Sequence, residues 1–209
     1  MAFDVGSLRL CLVTDRGLAA GRSVVDVALA AVRGGATMVQ LREKDATTRA
    51  FVDEARALKA ALAPLGVPLA INDRLDVALA VDADGLHVGQ DDMPVEAARR
   101  LLGPSKFIGL SITAVDQVLR PDAEAADYLG VGPIYAQQTK SDAAAPLGLD
   151  GLRRLRGLTG KPVVAIGGLT PDNSAPVLTA GADGLAVVSA IVAAADPDAV
   201  ARRFRALFG

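Results

Sequence analysis

Apolar and polar positions in this chain are arranged in blocks. Short, nearly continuous apolar runs fall at Leu8 to Val13, Pro68 to Ile71, Lys106 to Leu110 and Pro162 to Ile166. Each is followed by a second run introduced by an Ala-Thr or Ala-Asp step. These are Ala36-Thr37-Met38-Val39, Ala83-Asp84-Gly85-Leu86, Ala126-Asp127-Tyr128-Leu129 and Ala182-Asp183-Gly184-Leu185. The four alanines are 47, 43 and 56 residues apart, so a two-strand unit recurs along the chain. Runs without a polar alternate face suit strands buried on both sides, as in a parallel sheet.

Helical periodicity fills the intervals. It predicts helices over Val24 to Arg33, Arg49 to Leu62, Asp76 to Val81, Pro94 to Leu102, Val115 to Ala125, Leu149 to Leu158, Pro171 to Thr179 and Pro197 to Leu207. Thr113 with Asp116 fits a capping box. Thr170-Pro171 and Asp196-Pro197 place proline at the first helical position behind a capping residue. Strand–helix alternation, eight times over at this length, points to an α/β fold: a single-domain (β/α)8 TIM barrel over 1–209. A doubly wound open sheet is the rival, but Thr14-Asp15-Arg16-Gly17 lacks the G-x-G-x-x-G pattern expected after its first strand.

In such a barrel the site lies where strands run into the following loops. Polar residues fall there with regularity. They are Thr14 and Asp15 after strand 1, Arg42 and Lys44 after strand 2, Asn72 and Asp73 after strand 3, and Gln90 to Asp92 after strand 4. Ser111 ends strand 5, a long loop from Gly132 to Gly148 follows strand 6, and Gly167-Gly168 and Ser189 follow strands 7 and 8.

Met38-Val39-Gln40-Leu41-Arg42-Glu43-Lys44-Asp45 starts as an apolar strand and ends in charge. Strand alternation would set Gln40, Arg42 and Lys44 on one face, where an anion would satisfy all three. The plainer reading is a strand entering a solvated loop, with Glu43 neutralising its neighbours. Gly167-Gly168 and Val188-Ser189 precede helices in the usual phosphate seat of this fold, where glycine lets a phosphate approach backbone amides. Asp73 and Asp92 follow adjacent strands, about 4.8 Å apart, and both carboxylates can reach one ion. Two carboxylates with substrate phosphate oxygens and water make a magnesium site, although either aspartate also suits a helix cap. Lys140, in the long loop, reads equally as a solvated charge or as an ammonium folding over a diphosphate.

Composition narrows the classes. The chain has 209 residues, 51% hydrophobic, with a net charge of −2, 3% aromatics and no Trp, which disfavours a nucleic-acid stacking platform. Met1 to Leu10 lacks the form of a signal peptide and no apolar run is long enough to span a membrane, so a cytoplasmic protein is expected. Cys11 is expected to be a small core residue. The single histidine, His87, is expected to be packed in its strand without an assigned role, and disfavours a transition-metal site. No nucleophile–histidine constellation can be placed. Oligomeric state is not legible, and a homo-oligomer is left open.

The assembled motifs VQLREKD, IND, DGLHVGQDD, GLS, DYLGVGPIY…TK, VVAIGGLTPDN and GADGLAVVSAI carry a resemblance. From near its start to its end the chain resembles the thiamine-phosphate synthase (thiamine-phosphate pyrophosphorylase) family. QLREK, HVGQ-x-D and GPIY…TK in this order are jointly specific. The resemblance implies that 4-amino-2-methyl-5-(diphosphooxymethyl)pyrimidine is joined to 4-methyl-5-(2-phosphooxyethyl)thiazole, giving thiamine phosphate and diphosphate by a dissociative step. It implies diphosphate-binding roles for Gln40, Arg42, Lys44, Asn72, Ser111 and Lys140, with Arg42, Lys44, Ser111 and Lys140 the catalytic set. It implies Mg2+ ligation by Asp73 and Asp92, and thiazole-phosphate contacts from Gln137, Gln138, Thr139, Gly168, Val188 and Ser189. Two departures stand out. Gln137 occupies a position where the family has a hydroxyl, which implies weaker thiazole-phosphate binding. Thr113 stands where many relatives carry His or Lys.

The competing readings are a thiazole tautomerase on the same barrel, a non-catalytic thiamine-phosphate-binding barrel, and a generic phosphosugar isomerase. Retention of Lys44, Asp73, Asp92 and Lys140 favours the synthase, because none of these rivals needs a leaving-group clamp.

Overall fold

The computed structural model describes residues 4–136 and 145–209. Gln137, Gln138, Thr139 and Lys140 lie outside the described residues.

Eight parallel strands close into one barrel. They are β1 (Leu10–Val13), β2 (Met38–Leu41), β3 (Leu69–Asn72), β4 (Gly85–Val88), β5 (Phe107–Ile112), β6 (Tyr128–Val131), β7 (Val163–Ile166) and β8 (Gly184–Val187). Closure is made by β1 pairing with β8, Cys11 standing opposite Ala186. Side chains alternate, so each strand serves two cores. Cys11, Val13, Met38, Ala70, Phe107, Tyr128, Val164 and Ala186 fill the barrel interior. Leu10, Leu12, Val39, Leu41, Leu69, Ile71, Leu86, Val88, Ile108 and Leu110 belong to the larger cluster formed with the helices. Burial on both faces is why these segments read as unbroken apolar runs.

The surrounding helices are α1 (Val24–Arg33), α2 (Thr48–Leu62), α3 (Leu75–Ala80), α4 (Val95–Leu102), α5 (Pro121–Ala125), α6 (Gly148–Arg156), α7 (Ala175–Thr179), α8 (Ser189–Val192) and α9 (Pro197–Arg205). Ser23, Thr47 and Asp196 cap α1, α2 and α9 by accepting the amides of Asp26, Ala50 and Ala199. Pro197 takes the first helical position, where the amide it lacks would have no helical partner.

The recurring Ala-Thr or Ala-Asp step has a structural cause. The Asp84 amide donates to the Leu69 carbonyl at 3.0 Å, and the Asp84 carboxylate accepts the Leu69 amide at 2.8 Å. Asp127 clamps Ile108 in the same two-point way, at 2.8 and 2.7 Å, and Asp183 clamps Val163 at 2.8 and 2.8 Å. Thr37 clamps Leu10 with its hydroxyl as acceptor, at 2.8 and 2.9 Å. Each step therefore satisfies a backbone amide at the start of the preceding strand, where the sheet ladder is incomplete. The repeat is a device of the barrel's N-terminal end, remote from the mouth.

Three expectations are corrected, and one element is added. The segment Val115 to Ala125 is a 3-10 turn, Val115–Leu119, followed by α5, because Pro121 cannot continue a helix and restarts one. The box at its start uses Gln117, whose Oε1 accepts the Thr113 and Ala114 amides at 2.7 and 3.2 Å. Asp116 pairs with Arg120 instead. Pro171 lies in a turn ahead of α7, where Thr170 donates its amide to Asn173 Oδ1 at 2.8 Å. Helix α8, right after β8, was not expected; it is one turn long, too short to show periodicity.

Candidate active site at the barrel mouth

The C-terminal ends of β2 to β5 turn polar side chains inward. Gln40 is 6% exposed, and its Nε2 donates to Asn72 Oδ1 at 2.7 Å across the β2–β3 pair. The strand pairing of β2 ends near Leu41 and the chain bends over residues 44–46. Of Gln40, Arg42 and Lys44, only Gln40 lies within β2; Arg42 follows it and Lys44 falls in the bend. Arg42 is held differently: Thr14 Oγ1 accepts its amide at 3.0 Å, and its guanidinium pairs with Asp15 at 3.3 Å. Lys44 is exposed to solvent. Gln40 and Arg42 thus have protein partners in addition to any anion that the segment would bind.

Glu43 belongs to a second cluster, paired with Arg16. Arg16 bridges Glu43 at 2.6 Å and Glu54 at 2.8 Å, tying the loops after β1 and β2 to α2. Hydrogen bonding to Glu43 holds the Arg16 guanidinium above its ordinary range, whereas burial raises the Glu54 carboxyl and outweighs Arg16. The two are consistent: Arg16 belongs mainly to Glu43, and Glu54 Oε2 is buried with no hydrogen-bond partner. By occupying Glu43, Arg16 keeps that carboxylate from cancelling the positive charge of Arg42 and Lys44.

Asp73 follows Asn72 with φ +64°, a left-handed conformation that costs a non-glycine residue energy and tends to occur at functional sites. It is fixed there by its amide, which donates to the His87 carbonyl at 2.8 Å. Asp92 curls back, and its Oδ2 accepts the Gly89 amide at 2.7 Å. One carboxylate thus follows β3 and the other follows β4. Among the described residues no cluster of three or more His, Cys, Asp or Glu is arranged for a metal ion. Two hard oxygen donors on adjacent strands still fit a hard cation that takes its remaining ligands from a substrate and water.

Ser111 is held from two sides. Gln90 Nε2 donates to its carbonyl at 2.8 Å, with Gln90 Oε1 accepting from Arg120 at 3.1 Å. Its hydroxyl lies 2.9 Å from His87 Nε2, and His87 Nδ1 lies 2.9 Å from the Tyr128 hydroxyl. Burial raises the Tyr128 phenol well above its ordinary range, so it is neutral. His87 and Tyr128 are the residues that sequence reasoning missed. The available signal was His87 pointing inward beside glycines in the next strands, Gly109 and Gly130.

On the far side of the mouth, Gly167 and Gly168 have φ of +103° and +65°, and a side chain at Gly168 would collide with Tyr135 and the Ala136 carbonyl. The loop leaving β6 is pinned to this turn by Ile134 and Tyr135 amides donating to Ile166 and Gly167. Val188 caps α8 and Ser189 begins it. Arg22 donates to the carbonyls of Val192 and Ala194 at the other end of α8, tying it to the loop after β1.

Inward polar groups on four successive strands, a strained carboxylate and glycine turns after the seventh strand define a class: (β/α)8 barrels with a polar site at the C-terminal mouth. Within that class the chain belongs to the thiamine monophosphate synthase family, whose model matches residues 10–191. It is 58% identical over 199 residues to a thiamine-phosphate synthase of Chloroflexus aurantiacus, covering 95% of this chain and 92% of that protein. It is 57% identical over 209 residues to a thiamine-phosphate synthase of Albidiferax ferrireducens, covering 99% and 95%. Among solved structures, thiamine phosphate pyrophosphorylase from Pyrococcus furiosus superposes with a TM-score of 0.88 at 37% identity, covering 97% of this chain and 96% of that one. A 3-hexulose-6-phosphate synthase shares the fold, with a TM-score of 0.70 at 18% identity. The chain is an enzyme of this family. Among the described residues, no helix is long and apolar enough to cross a membrane.

Proposed function

We propose that the barrel mouth joins the pyrimidine diphosphate to the thiazole phosphate, releasing thiamine phosphate and diphosphate. In this reading the bond between the pyrimidine methylene carbon and the diphosphate oxygen breaks first, and its electron pair leaves on the diphosphate. The pyrimidine amino group feeds electrons into the methylene cation. The thiazole nitrogen lone pair then forms the new carbon–nitrogen bond. That nitrogen is unprotonated, so no strong general base is required, in keeping with a chain whose only histidine is buried.

Arg42, Lys44 and Lys140 supply positive charge where negative charge grows on the leaving diphosphate. Gln40, Asn72 and Ser111 orient it from the polar half of the mouth. Gly168, Val188 and Ser189, with Gln137, Gln138 and Thr139, take the thiazole phosphate, the glycine leaving room for backbone approach. Asp73 and Asp92 would hold magnesium, which when bound supplies Lewis-acid neutralisation of the diphosphate.

The observation that most supports this reading is the convergence of Gln40, Asn72, Asp73 and Ser111 on one mouth in a chain 58% identical to a protein named for this synthesis. The test mixes purified protein, pyrimidine diphosphate, thiazole phosphate and magnesium, and measures both products. Equimolar thiamine phosphate and diphosphate are expected, abolished by EDTA and by Asp92→Ala with its melting temperature checked. Folded protein that binds thiazole phosphate and releases no diphosphate would overturn the reading.

A further inference from the structure

The imidazole of His87 is enclosed between β4, β5 and β6, and its neighbours are shaped around it. A Cβ at Gly109 would lie 2.5 Å from His87 Nδ1 and 2.2 Å from Tyr128 Cζ. A Cβ at Gly130 would lie 2.8 Å from His87 Cε1. Two strands have therefore given up side chains so that one ring can stand 2.9 Å from both the Tyr128 and the Ser111 hydroxyls. Simple packing of a buried histidine does not need two aligned hydroxyls, one at each ring nitrogen.

A neutral imidazole has one donor and one acceptor nitrogen, so the chain Tyr128–His87–Ser111 has two possible directions. A phenol is the stronger donor and an alkyl hydroxyl the better acceptor. Tyr128 therefore donates to Nδ1, Nε2 carries the ring proton, and Nε2–H donates to Ser111 Oγ. The Ser111 hydroxyl hydrogen is then directed away from the ring, toward the mouth. In the reverse direction Ser111 would spend its proton on Nε2 and present lone pairs to the mouth, repelling an anion.

We propose that His87 and Tyr128 are positioning residues that lock the imidazole in its Nε2–H form and so make Ser111 an obligate hydrogen-bond donor to the diphosphate. This rests on the reading above that Ser111 contacts the diphosphate. The ring neither touches the reacting atoms nor transfers a proton during the reaction. Its function is to set the direction of one hydrogen bond before the substrate arrives. The same residue's carbonyl receives the Asp73 amide, so the end of β4 steadies two elements of the mouth.

Because the chain has one histidine, the tautomer can be read without ambiguity. Protein labelled with 15N-histidine should show a protonated, pyrrole-type Nε2 and a pyridine-type Nδ1 in a long-range proton–nitrogen correlation spectrum. The pattern should persist with inorganic diphosphate and magnesium added. A predominant Nδ1–H form in either state overturns the proposal. Kinetics supply the second readout. Tyr128→Phe and His87→Asn should each raise KM for the pyrimidine diphosphate, or lower kcat, by about tenfold, the scale of a hydrogen bond to a charged group. KM for the thiazole phosphate should stay within about twofold, a split that general loosening of the barrel would not produce. His87→Gln, whose amide can still donate near the Nε2 position, should recover part of the loss seen in His87→Asn. Ser111→Ala separates the two layers of reasoning. If it impairs the pyrimidine diphosphate and the His87 and Tyr128 variants do not, the positioning proposal fails alone. If Ser111→Ala has no effect, the diphosphate reading of Ser111 fails and takes the proposal with it. Should the variants not fold, the tautomer of the native protein decides.

Discussion

Replacing Asp84 by alanine removes one half of a two-point clamp and leaves the other. The Asp84 amide still reaches the Leu69 carbonyl, but the Leu69 amide loses the carboxylate that accepts it at 2.8 Å. Leu69 is buried and begins β3, so water is a poor substitute. A hydrogen bond with an ionised partner contributes about 1.5–3 kcal/mol, and an unsatisfied buried amide costs a similar amount. Asp84 is only half-buried, which puts the expected loss near the middle, about 2 kcal/mol. For a domain of this size that corresponds to a fall of roughly 4–8 °C in Tm. Asp84→Asn keeps a carbonyl oxygen in the same place and should cost less than half as much. The assay is urea unfolding followed by circular dichroism, with unchanged m so that the midpoint shift reports stability. Because the clamps lie at the end of the barrel opposite the mouth, kcat and KM below the melting transition should match the parent protein. Asp183→Ala removes the equivalent clamp between β7 and β8, and the two losses should add to within about 0.5 kcal/mol. An alanine variant as stable as the parent, or an asparagine variant as unstable as the alanine one, would refute the explanation of the repeat.

Burial raises the Glu54 carboxyl, so on a pH increase the unfolded chain ionises first and the folded chain follows at a cost. Stability from this group is therefore lost as pH rises from the ordinary carboxylate range through the folded value, and Glu54→Gln should gain in Tm relative to the parent between pH 4 and pH 7; an unchanged difference would contradict this. Burial pushes the Cys11 thiol up to about 12, so a disulfide reagent at pH 8 should leave the native protein unmodified and react fully once it is unfolded. Gly184→Ala would bring a Cβ within 1.9 Å of the Leu8 carbonyl, against unyielding backbone at the barrel seam. It should destabilise by about 3 kcal/mol, the upper end of the usual range for overpacking, read as a melting shift or as insoluble protein.

Sequence alone determined the architecture. Strands buried on both faces leave unbroken apolar runs, and helices between them keep their own period; those signals are local, so β1 to β8 and helices such as α1 were readable without coordinates. Pairing of residues distant in the chain was not. Asp15 against Arg42 and Gln40 against Asn72 are lateral contacts between neighbouring strand ends, and Arg16 between Glu43 and Glu54 ties two of those ends to α2. They decide that the amide and the guanidinium of the QLREK segment have protein partners. His87 shows the difference most fully. As a lone histidine in an apolar strand it carried no assignable role. Only barrel closure and register put Gly109 and Gly130 beside its ring and hydroxyls at both of its nitrogens. Hydrophobic patterning records which side of a strand is buried. Hydrogen-bond direction depends on what stands opposite, and that is fixed by tertiary structure.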